Sequence, residues 1–351
     1  MCSVFKPKGY LHLHAKIDNQ VMLCRTTQLS NHMQDNERKD VSSLHNKVEN
    51  HVTFNQMLQT LAVNELKQMQ GYCKLWNGVE LPSNILGTFR LQGEACYAVV
   101  KYALQNHLYE HIDTASCYYN EETIGEAIKD SRVAREDIFI TTKVSPKDMG
   151  FESCLQAVEQ SLKKLQVDFV DLLLIHWPAK SRIPITSDKH PQYRIETWRA
   201  LERLYVEKKT RAIGISNFSV FHIESLVPHC QVMPMVNQVE YHPKLIQKEL
   251  YNYCENLKIK IVSYASLANG NLINHPCVCS IASFINKTPA QVLLRWGIQQ
   301  NVCASAKTST IPRLIENANI FDFQLSKEEM EKLNELHDGT HFCWDPSKID
   351  K

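Results

Sequence analysis

The sequence predicts an α/β fold, a (β/α)8 TIM barrel preceded by a short β-hairpin. Strand-like and helix-like segments alternate eight times over roughly 240 residues, which is the length that such a barrel needs. Several of the strand-like segments are continuous apolar runs, as expected for parallel strands that are buried on both faces. A doubly wound sheet is the alternative, but it usually has fewer units and a G-x-G-x-x-G turn, which the sequence lacks. These observations favour the barrel.

The predicted strands follow one another from residue 85 onward, and each is followed by a segment of helical spacing. The last strand but one precedes the longest of these segments, at 280–300, which predicts one continuous helix. The eight strands are, in chain order, ILGTF at 85–89, HIDTA at 111–115, DIFITTKV at 137–144, VDLLLIHW at 170–177, AIGISNF at 212–218, MVNQVEYH at 235–242, KIVSYASL at 260–267 and VCASAK at 302–307.

The chain before the first of these strands divides into two parts. The segment KLWNGVEL predicts a hairpin in which Asn77 and Gly78 form a type I′ turn. Residues 1–71 are rich in Asn, Gln and His and contain no Trp, so they predict a flexible extension in which 52–70 has the spacing of a short helix. The basic start of this extension leaves a transit peptide open as an alternative. The predicted barrel domain is 72–351.

Composition excludes several classes of function. The chain has 351 residues, 44% of them apolar, with 39 Lys and Arg against 38 Asp and Glu, for a net charge of +1. This balance gives no bulk attraction to nucleic acid or to an anionic membrane. No apolar run approaches the roughly 18 residues of a membrane span, and the 12 cysteines are scattered like the thiols of a reducing compartment. We therefore expect a cytoplasmic monomer that binds no metal.

Polar side chains follow three consecutive predicted strands at the point where each strand ends. Asp113 and Tyr118 follow the second strand, Lys143 ends the third and His176 ends the fourth. Each has an ordinary structural interpretation: a helix cap, a loop tyrosine, an ion pair or a core histidine. Because the ends of parallel barrel strands meet at one rim, the four together indicate a proton-handling site.

This set of side chains suits the reduction of a carbonyl group. An ammonium such as that of Lys143 lowers the pKa of a nearby phenol, and the carboxylate of Asp113 keeps the ammonium charged. An imidazole beside the phenol orients a carbonyl oxygen by hydrogen bonding. No side chain can donate a hydride, so a cofactor must supply it. The site therefore predicts a cofactor-dependent reductase.

These residues lie in segments that resemble the aldo-keto reductase superfamily over about residues 72–349. HIDTASCYYNEETIGEAI is similar to the family's D-T-A-x-x-Y-x-N-E-x-x-x-G signature, ITTK to the segment that ends in its catalytic lysine, and LLLIHWP to that of its catalytic histidine. The resemblance implies a barrel that transfers hydride from nicotinamide to an aldehyde or ketone. It also implies four catalytic residues, with Tyr118 as the general acid: Asp113, Tyr118, Lys143 and His176.

Further segments resemble the family's cofactor site. GISNF and VNQVEYHP match the residues that hold the nicotinamide carboxamide, VSYASL matches the strand whose tyrosine stacks on the nicotinamide ring, and KTSTIPRLIEN matches the site of the 2′-phosphate and adenine. The cation pair in this last segment favours NADPH over NADH. The implied cofactor contacts are Ser216, Asn217, Gln238, Tyr264, Leu267, Lys307, Thr308, Arg313, Glu316 and Asn317.

The loop after the seventh predicted strand departs from the family pattern. Relatives usually read Y-S-P-L-G, whereas this chain reads Y-A-S-L-A at 264–268, and the I-P-K-S of the next strand reads S-A-K-T. We expect these changes to loosen the cover over the cofactor's pyrophosphate. Aromatic side chains predict an apolar pocket for small-molecule aldehydes, with ketones and methylglyoxal-like dicarbonyls as further substrates. The predicted pocket residues are Phe89, Tyr119, Trp177 and Trp344.

Two other functions remain as alternatives. A barrel with an N-terminal extension resembles the β subunits of potassium channels, which would make this chain a non-enzymatic or regulatory NADPH-binding protein. The altered cofactor loops are also compatible with a catalytically impaired member of the family.

Overall fold

The computed structural model describes residues 71–349, so the predicted extension, apart from Gly71, lies outside the described residues. The predicted hairpin is present as β1 (Tyr72–Lys74) and β2 (Glu80–Pro82), which pair antiparallel. Its turn is not the predicted type I′. Asn77 has no positive φ, whereas Gly78 has a φ of 90°. The Gly78 N–H donates to Leu75 O and the Leu75 N–H to Val79 O, which makes a three-residue loop with glycine at the left-handed position.

Eight parallel strands close into a barrel in the order β10-β3-β4-β5-β6-β7-β8-β9, so the predicted fold is confirmed. The strands are β3 (Asn84–Gly87), β4 (His111–Asp113), β5 (Phe139–Val144), β6 (Val170–Ile175), β7 (Thr210–Ser216), β8 (Val236–Glu240), β9 (Lys260–Tyr264) and β10 (Cys303–Ala306). Every residue of β5, β6 and β8 is buried, as expected for parallel strands covered on both faces.

The helices surround the barrel. They are α1 (Gly93–Gln105), α2 (Glu121–Ser131), α3 (Phe151–Leu165), α4 (His190–Val206), α5 (Val220–Leu226), α6 (Lys248–Asn256), α7 (Pro276–Phe284), α8 (Pro289–Gln299), α9 (Ile311–Ala318) and α10 (Lys327–Asn334). The single helix predicted at 280–300 is wrong, because Thr288 and Pro289 start a new one. The Thr288 hydroxyl accepts from the Gln291 N–H, and the Gln291 side chain caps Thr288 in return.

The angle between α7 and α8 is 92°. Within residues 71–349 no single helix is long and apolar enough to cross a membrane, and only this bent pair, taken together, has the length and composition to do so.

Close packing of two helices depends on Gly125 in α2. A Cβ atom at Gly125 would lie 2.5 Å from Lys164 O and 2.8 Å from the carbonyl carbon of Leu165, at the end of α3. We expect Gly125→Ala to lower the free energy of unfolding by about 1–3 kcal/mol, because backbone must move apart. Gly297→Ala in α8 is the matched control, since its Cβ would meet only Ala304 Cβ at 3.6 Å. Urea unfolding of both variants measures the difference, and equal stabilities would contradict the packing argument.

Parallel strand direction brings the functional residues to one rim. Asp113 is the last residue of β4, Lys143 lies one residue before the end of β5, and Ser216 ends β7. Tyr264 ends β9, and Glu240 ends β8. The carboxyl ends of all eight strands therefore surround one site, which is where barrel enzymes carry their chemistry.

Candidate active site

The centre of the site is a buried ion pair. Lys143 Nζ lies 2.5 Å from Asp113 Oδ1, and the side chain of Lys143 is fully buried. The same ammonium donates to Thr114 O at 2.8 Å and contacts the Tyr118 hydroxyl at 3.4 Å. The other oxygen of Asp113 accepts from Gln238 Nε2 at 2.6 Å. Because the pair is desolvated, these hydrogen bonds are needed to offset the cost of burying two charges.

Tyr118 is held by a short 3-10 turn, Ser116–Tyr118, after β4. The Ser116 hydroxyl donates to Lys143 O at 3.0 Å, which ties this turn to the neighbouring strand. Gln92 Nε2 donates to Tyr118 O at 2.6 Å, and Tyr119 ends the turn at a φ of 57°. These contacts fix the backbone of Tyr118, so its hydroxyl stays beside Lys143.

Asn120, a further residue of the signature, has a structural role. Asn120 is buried, and its amide donates to Thr88 O at 2.9 Å and to Leu91 O at 3.0 Å. Its side-chain oxygen accepts from the Thr114 hydroxyl at 2.7 Å. This clamp holds the loop that carries Phe89, whose ring lies 5.1 Å from the ring of Tyr118.

The pKa of Tyr118 is shifted upward, whereas the presence of Lys143 led us to expect a downward shift. Burial and the negative charge of Asp113 raise it well above its ordinary value. The expected lowering by Lys143 does not prevail, because the ammonium is already paired with Asp113 at 2.5 Å and lies farther from the phenol. The phenol is therefore protonated at neutral pH, which is the state that a proton donor requires.

His176 lies across from Tyr118, with their ring centroids 5.6 Å apart and an interplanar angle of 73°. Burial and the charge of Lys143 lower the pKa of His176 well below its ordinary value, so the imidazole is neutral. Its Nδ1 lies 3.3 Å from the Cys117 sulfur, and its backbone oxygen accepts from Asn217 Nδ2 at 2.9 Å. Sequence reasoning missed Cys117, although it stands directly before Tyr118 in the signature.

The residues predicted to hold a nicotinamide carboxamide and to stack on its ring lie together, on β7, β8 and β9 or directly after them. The Ser216 hydroxyl donates to Gln238 O at 2.8 Å. The Tyr264 hydroxyl donates to Asn217 Oδ1 at 2.6 Å, and Asn217 has a left-handed φ of 64°. Burial raises the pKa of Tyr264 well above its ordinary value. The structure thus groups these side chains beside the ion pair at the same rim.

The predicted phosphate-binding residues lie at the end of β10 and the start of α9. Lys307 and Arg313 are exposed, and within residues 71–349 neither forms an ion pair. Thr308 is buried and its hydroxyl accepts from the Thr310 N–H at 3.1 Å. Two free cations beside a helix N-terminus form a suitable place for a phosphate dianion.

The two residues predicted to contact the adenine, Glu316 and Asn317, form hydrogen bonds within the protein. Glu316 Oε1 accepts from the Thr288 hydroxyl at 2.6 Å. Asn317 is buried, and its backbone oxygen accepts from Asn84 Nδ2 at 3.1 Å.

The altered loop after β9 is held by Ser266, which stands where relatives have proline. The buried Ser266 oxygen lies 2.8 Å from the Ser263 hydroxyl and accepts from the Ser305 N–H at 3.1 Å, so it ties the loop to β10. Ala265 and Ala268 flank the half-buried Leu267 and both have a φ of 51°. A left-handed alanine costs about 1–2 kcal/mol, so the loop keeps its shape against local strain.

The four predicted pocket residues differ in their ring contacts and in their exposure to solvent. Phe89 contacts Tyr118, and Trp177 lies against Trp344 with ring centroids 5.0 Å apart. Tyr119 points outward, since 75% of its surface is exposed. Sequence reasoning also missed the buried Glu240, which contacts the C-terminal segment that carries Trp344. A charged residue at the end of a strand whose residues are all buried was the available signal.

Comparison with known proteins gives four findings. The sequence model described as the aldo/keto reductase family matches residues 85–338. The chain is 48% identical over 277 residues to a glyoxal reductase of Bacillus subtilis, covering 79% of this chain and 96% of that protein. It is 40% identical over 279 residues to a 9,11-endoperoxide prostaglandin H2 reductase of Trypanosoma cruzi, covering 78% and 94%. A silkworm (Bombyx mori) aldo-keto reductase complexed with NADPH superposes with a TM-score of 0.70 at 31% identity, covering 78% and 89%.

Proposed function

Because the chain belongs to the aldo/keto reductase family and is an oxidoreductase, we propose that it reduces aldehydes and ketones to alcohols with NADPH. The observation that carries the proposal is the grouping of Tyr118, Lys143 and Asp113 within hydrogen-bonding distance, opposite the neutral imidazole of His176. Bound NADPH supplies the hydride. The side chains of this chain supply the proton and the orientation of the carbonyl.

The proton comes from Tyr118. As negative charge develops on the carbonyl oxygen, the phenol donates its proton, and the adjacent Lys143 ammonium stabilises the phenolate that remains. Asp113 holds this ammonium in place at 2.5 Å. His176 Nδ1 lies 3.3 Å from the Cys117 sulfur. In the neutral tautomer that carries its proton on Nε2, Nδ1 accepts from the thiol and Nε2 donates to the carbonyl oxygen.

NADPH is the proposed cofactor because its 2′-phosphate suits the cations Lys307 and Arg313, for which residues 71–349 offer no ion-pair partner. We expect Arg313→Ala to weaken NADPH binding by about 10- to 100-fold, because a charge-assisted hydrogen bond contributes about 1.5–3 kcal/mol. NADH has no 2′-phosphate, so its affinity should be unchanged.

Quenching of protein fluorescence during cofactor titration measures both dissociation constants. Arg203→Ala is the control, because Arg203 is a surface arginine of α4 that pairs with Glu207. Equal weakening of NADPH and NADH in Arg313→Ala would contradict a phosphate contact.

The substrate class we propose is small aldehydes and 1,2-dicarbonyls. The Bacillus relative is named a glyoxal reductase and matches nearly its whole length. NADPH oxidation at 340 nm across glyoxal, methylglyoxal, benzaldehyde and simple ketones tests the proposal. Tight NADPH binding without turnover of any carbonyl would overturn it and favour the alternative of a regulatory NADPH-binding barrel. Weak cofactor binding together with slow turnover would favour an impaired enzyme.

A further inference from the structure

Glu240 is a buried carboxylate at the end of β8 that accepts hydrogen bonds from two backbone N–H groups of a segment about a hundred residues later in the chain. Its Oε1 accepts from the Phe342 N–H at 2.7 Å, and its Oε2 accepts from the Cys343 N–H at 3.2 Å. His341 Nδ1 lies 3.2 Å from Oε2, and His242 Nε2 lies 3.1 Å from Oε1. Within residues 71–349 no lysine or arginine pairs with this carboxylate. Apart from His242, its side-chain partners lie in one later segment, and they include two backbone N–H groups and an imidazole.

The segment His341–Trp344, which we call the C-terminal strap, forms one side of the site. Its Trp344 ring lies 5.0 Å from that of Trp177, the residue directly after His176. Its Phe342 ring lies 5.3 Å from the ring of His242. A cavity of about 150 Å³ lies under the strap, lined by Glu240, His341, Asn217 and Tyr264 among others. Through His341 the strap therefore borders a cavity that Asn217 and Tyr264, two predicted cofactor contacts, also line.

Several observations indicate that Glu240 holds the strap as an ion. Burial alone would raise the pKa of Glu240, but hydrogen bonds from His242, Phe342 and His341 outweigh it and lower the pKa below its ordinary value. A carboxylate offers two acceptor oxygens, and each one accepts a strap N–H. Hydrogen bonds to an ionised acceptor are stronger than those between neutral groups. Asn269 Nδ2 adds a weaker tie, to Phe342 O at 3.2 Å.

We propose that Glu240 is a positioning residue for substrate selection, which fixes the strap so that Trp344 and Trp177 form a rigid aromatic wall. This inference rests on the proposed carbonyl reduction and goes beyond it. A large apolar aldehyde covers more of a preformed wall than a small dicarbonyl bound at Tyr118 and His176 does, so it gains more from the order of the wall. Glu240 touches neither the proton donor nor the predicted cofactor phosphate site, so it acts through the strap.

The variant Glu240→Gln separates this role from catalysis. Glutamine has one acceptor oxygen, so one of the two strap N–H groups loses its partner. We expect the KM for 2-naphthaldehyde to rise about tenfold, because this large substrate loses a contact that was ordered before it binds. The kcat and the KM for methylglyoxal should stay within about twofold of the wild-type values. Hydrogen exchange at the Phe342 and Cys343 amides should accelerate in the same variant.

Glu202→Gln is the matched control. Glu202 is also buried and accepts from two successive backbone N–H groups, Gln231 at 2.5 Å and Val232 at 2.8 Å, but those belong to a loop that the site does not include. This variant should keep the wild-type ratio of the two KM values. Unchanged selectivity and unchanged amide exchange in Glu240→Gln would overturn the inference, as would an equal effect of Glu202→Gln. If the wild-type protein reduced neither aldehyde, the proposed function would fail, while the exchange at Phe342 and Cys343 would still decide whether Glu240 holds the strap.

Discussion

Replacing Tyr118 by phenylalanine should lower kcat for aldehyde reduction about a thousandfold, within the 100- to 10,000-fold range of general acid catalysis. The change removes one oxygen and keeps the ring that packs on Phe89 and His176. Lys143 cannot take over as the donor, because its ammonium is committed to Asp113 and to Thr114 O. Steady-state NADPH oxidation measures kcat, and fluorescence titration checks that the cofactor still binds.

The control for this prediction is Tyr97→Phe. It removes a phenol of α1 that donates to Asp130 of α2, and it should leave kcat within about twofold. The raised pKa of Tyr118 adds a second expectation. Since the phenol must be protonated to donate, kcat should not fall between about pH 6 and 9 through this group. Reductase activity that survives in Tyr118→Phe would show that another group provides the proton.

The barrel and the four central residues could be predicted from the sequence for a physical reason. Parallel strands place their carboxyl ends at one rim, so polar residues at the ends of consecutive strands must become neighbours in space. Asp113 and Lys143 follow this rule directly, on adjacent strands. Tyr118 required one further step, since it lies on a turn five residues after Asp113.

Other features depend on contacts that no local pattern contains. The two backbone N–H groups that donate to Glu240 lie beyond residue 340, and the sequence shows only a charged residue at the end of a predicted strand. The pKa of Tyr118 is raised by burial and by the negative charge of Asp113, so the direction of its shift could be known only from the structure. The turn at Asn77-Gly78 has a frequent hairpin dipeptide, but the register of β1 and β2 leaves three residues in the loop instead of two. The role of Ser266 likewise depends on the position of β10.

Breaking the central ion pair should destabilise the fold as well as stop catalysis. Asp113→Asn removes the counterion of a fully buried ammonium, and Lys143→Met leaves a carboxylate whose remaining described partner is Gln238. We expect either single substitution to lower the free energy of unfolding by about 3–5 kcal/mol, the usual cost of an uncompensated buried charge. The double variant removes both charges. Its loss of unfolding free energy should therefore be smaller than the sum of the losses in the two single variants, by about 2 kcal/mol or more, as for other residues in contact.

Urea unfolding of the four proteins completes this cycle, and the comparison carboxylate is Asp171 at the opposite end of the barrel. Asp171 is buried at the start of β6 and pairs with Arg135 and Arg211, both of which remain partly exposed. Asp171→Asn should cost less than Asp113→Asn, because water can solvate the two guanidinium groups that lose their partner. It should also leave kcat unchanged, since it lies away from the reacting groups. If the losses of unfolding free energy in the Asp113 and Lys143 cycle were additive, each side chain would stabilise the fold through separate contacts. The ion pair would then contribute to catalysis but not to stability.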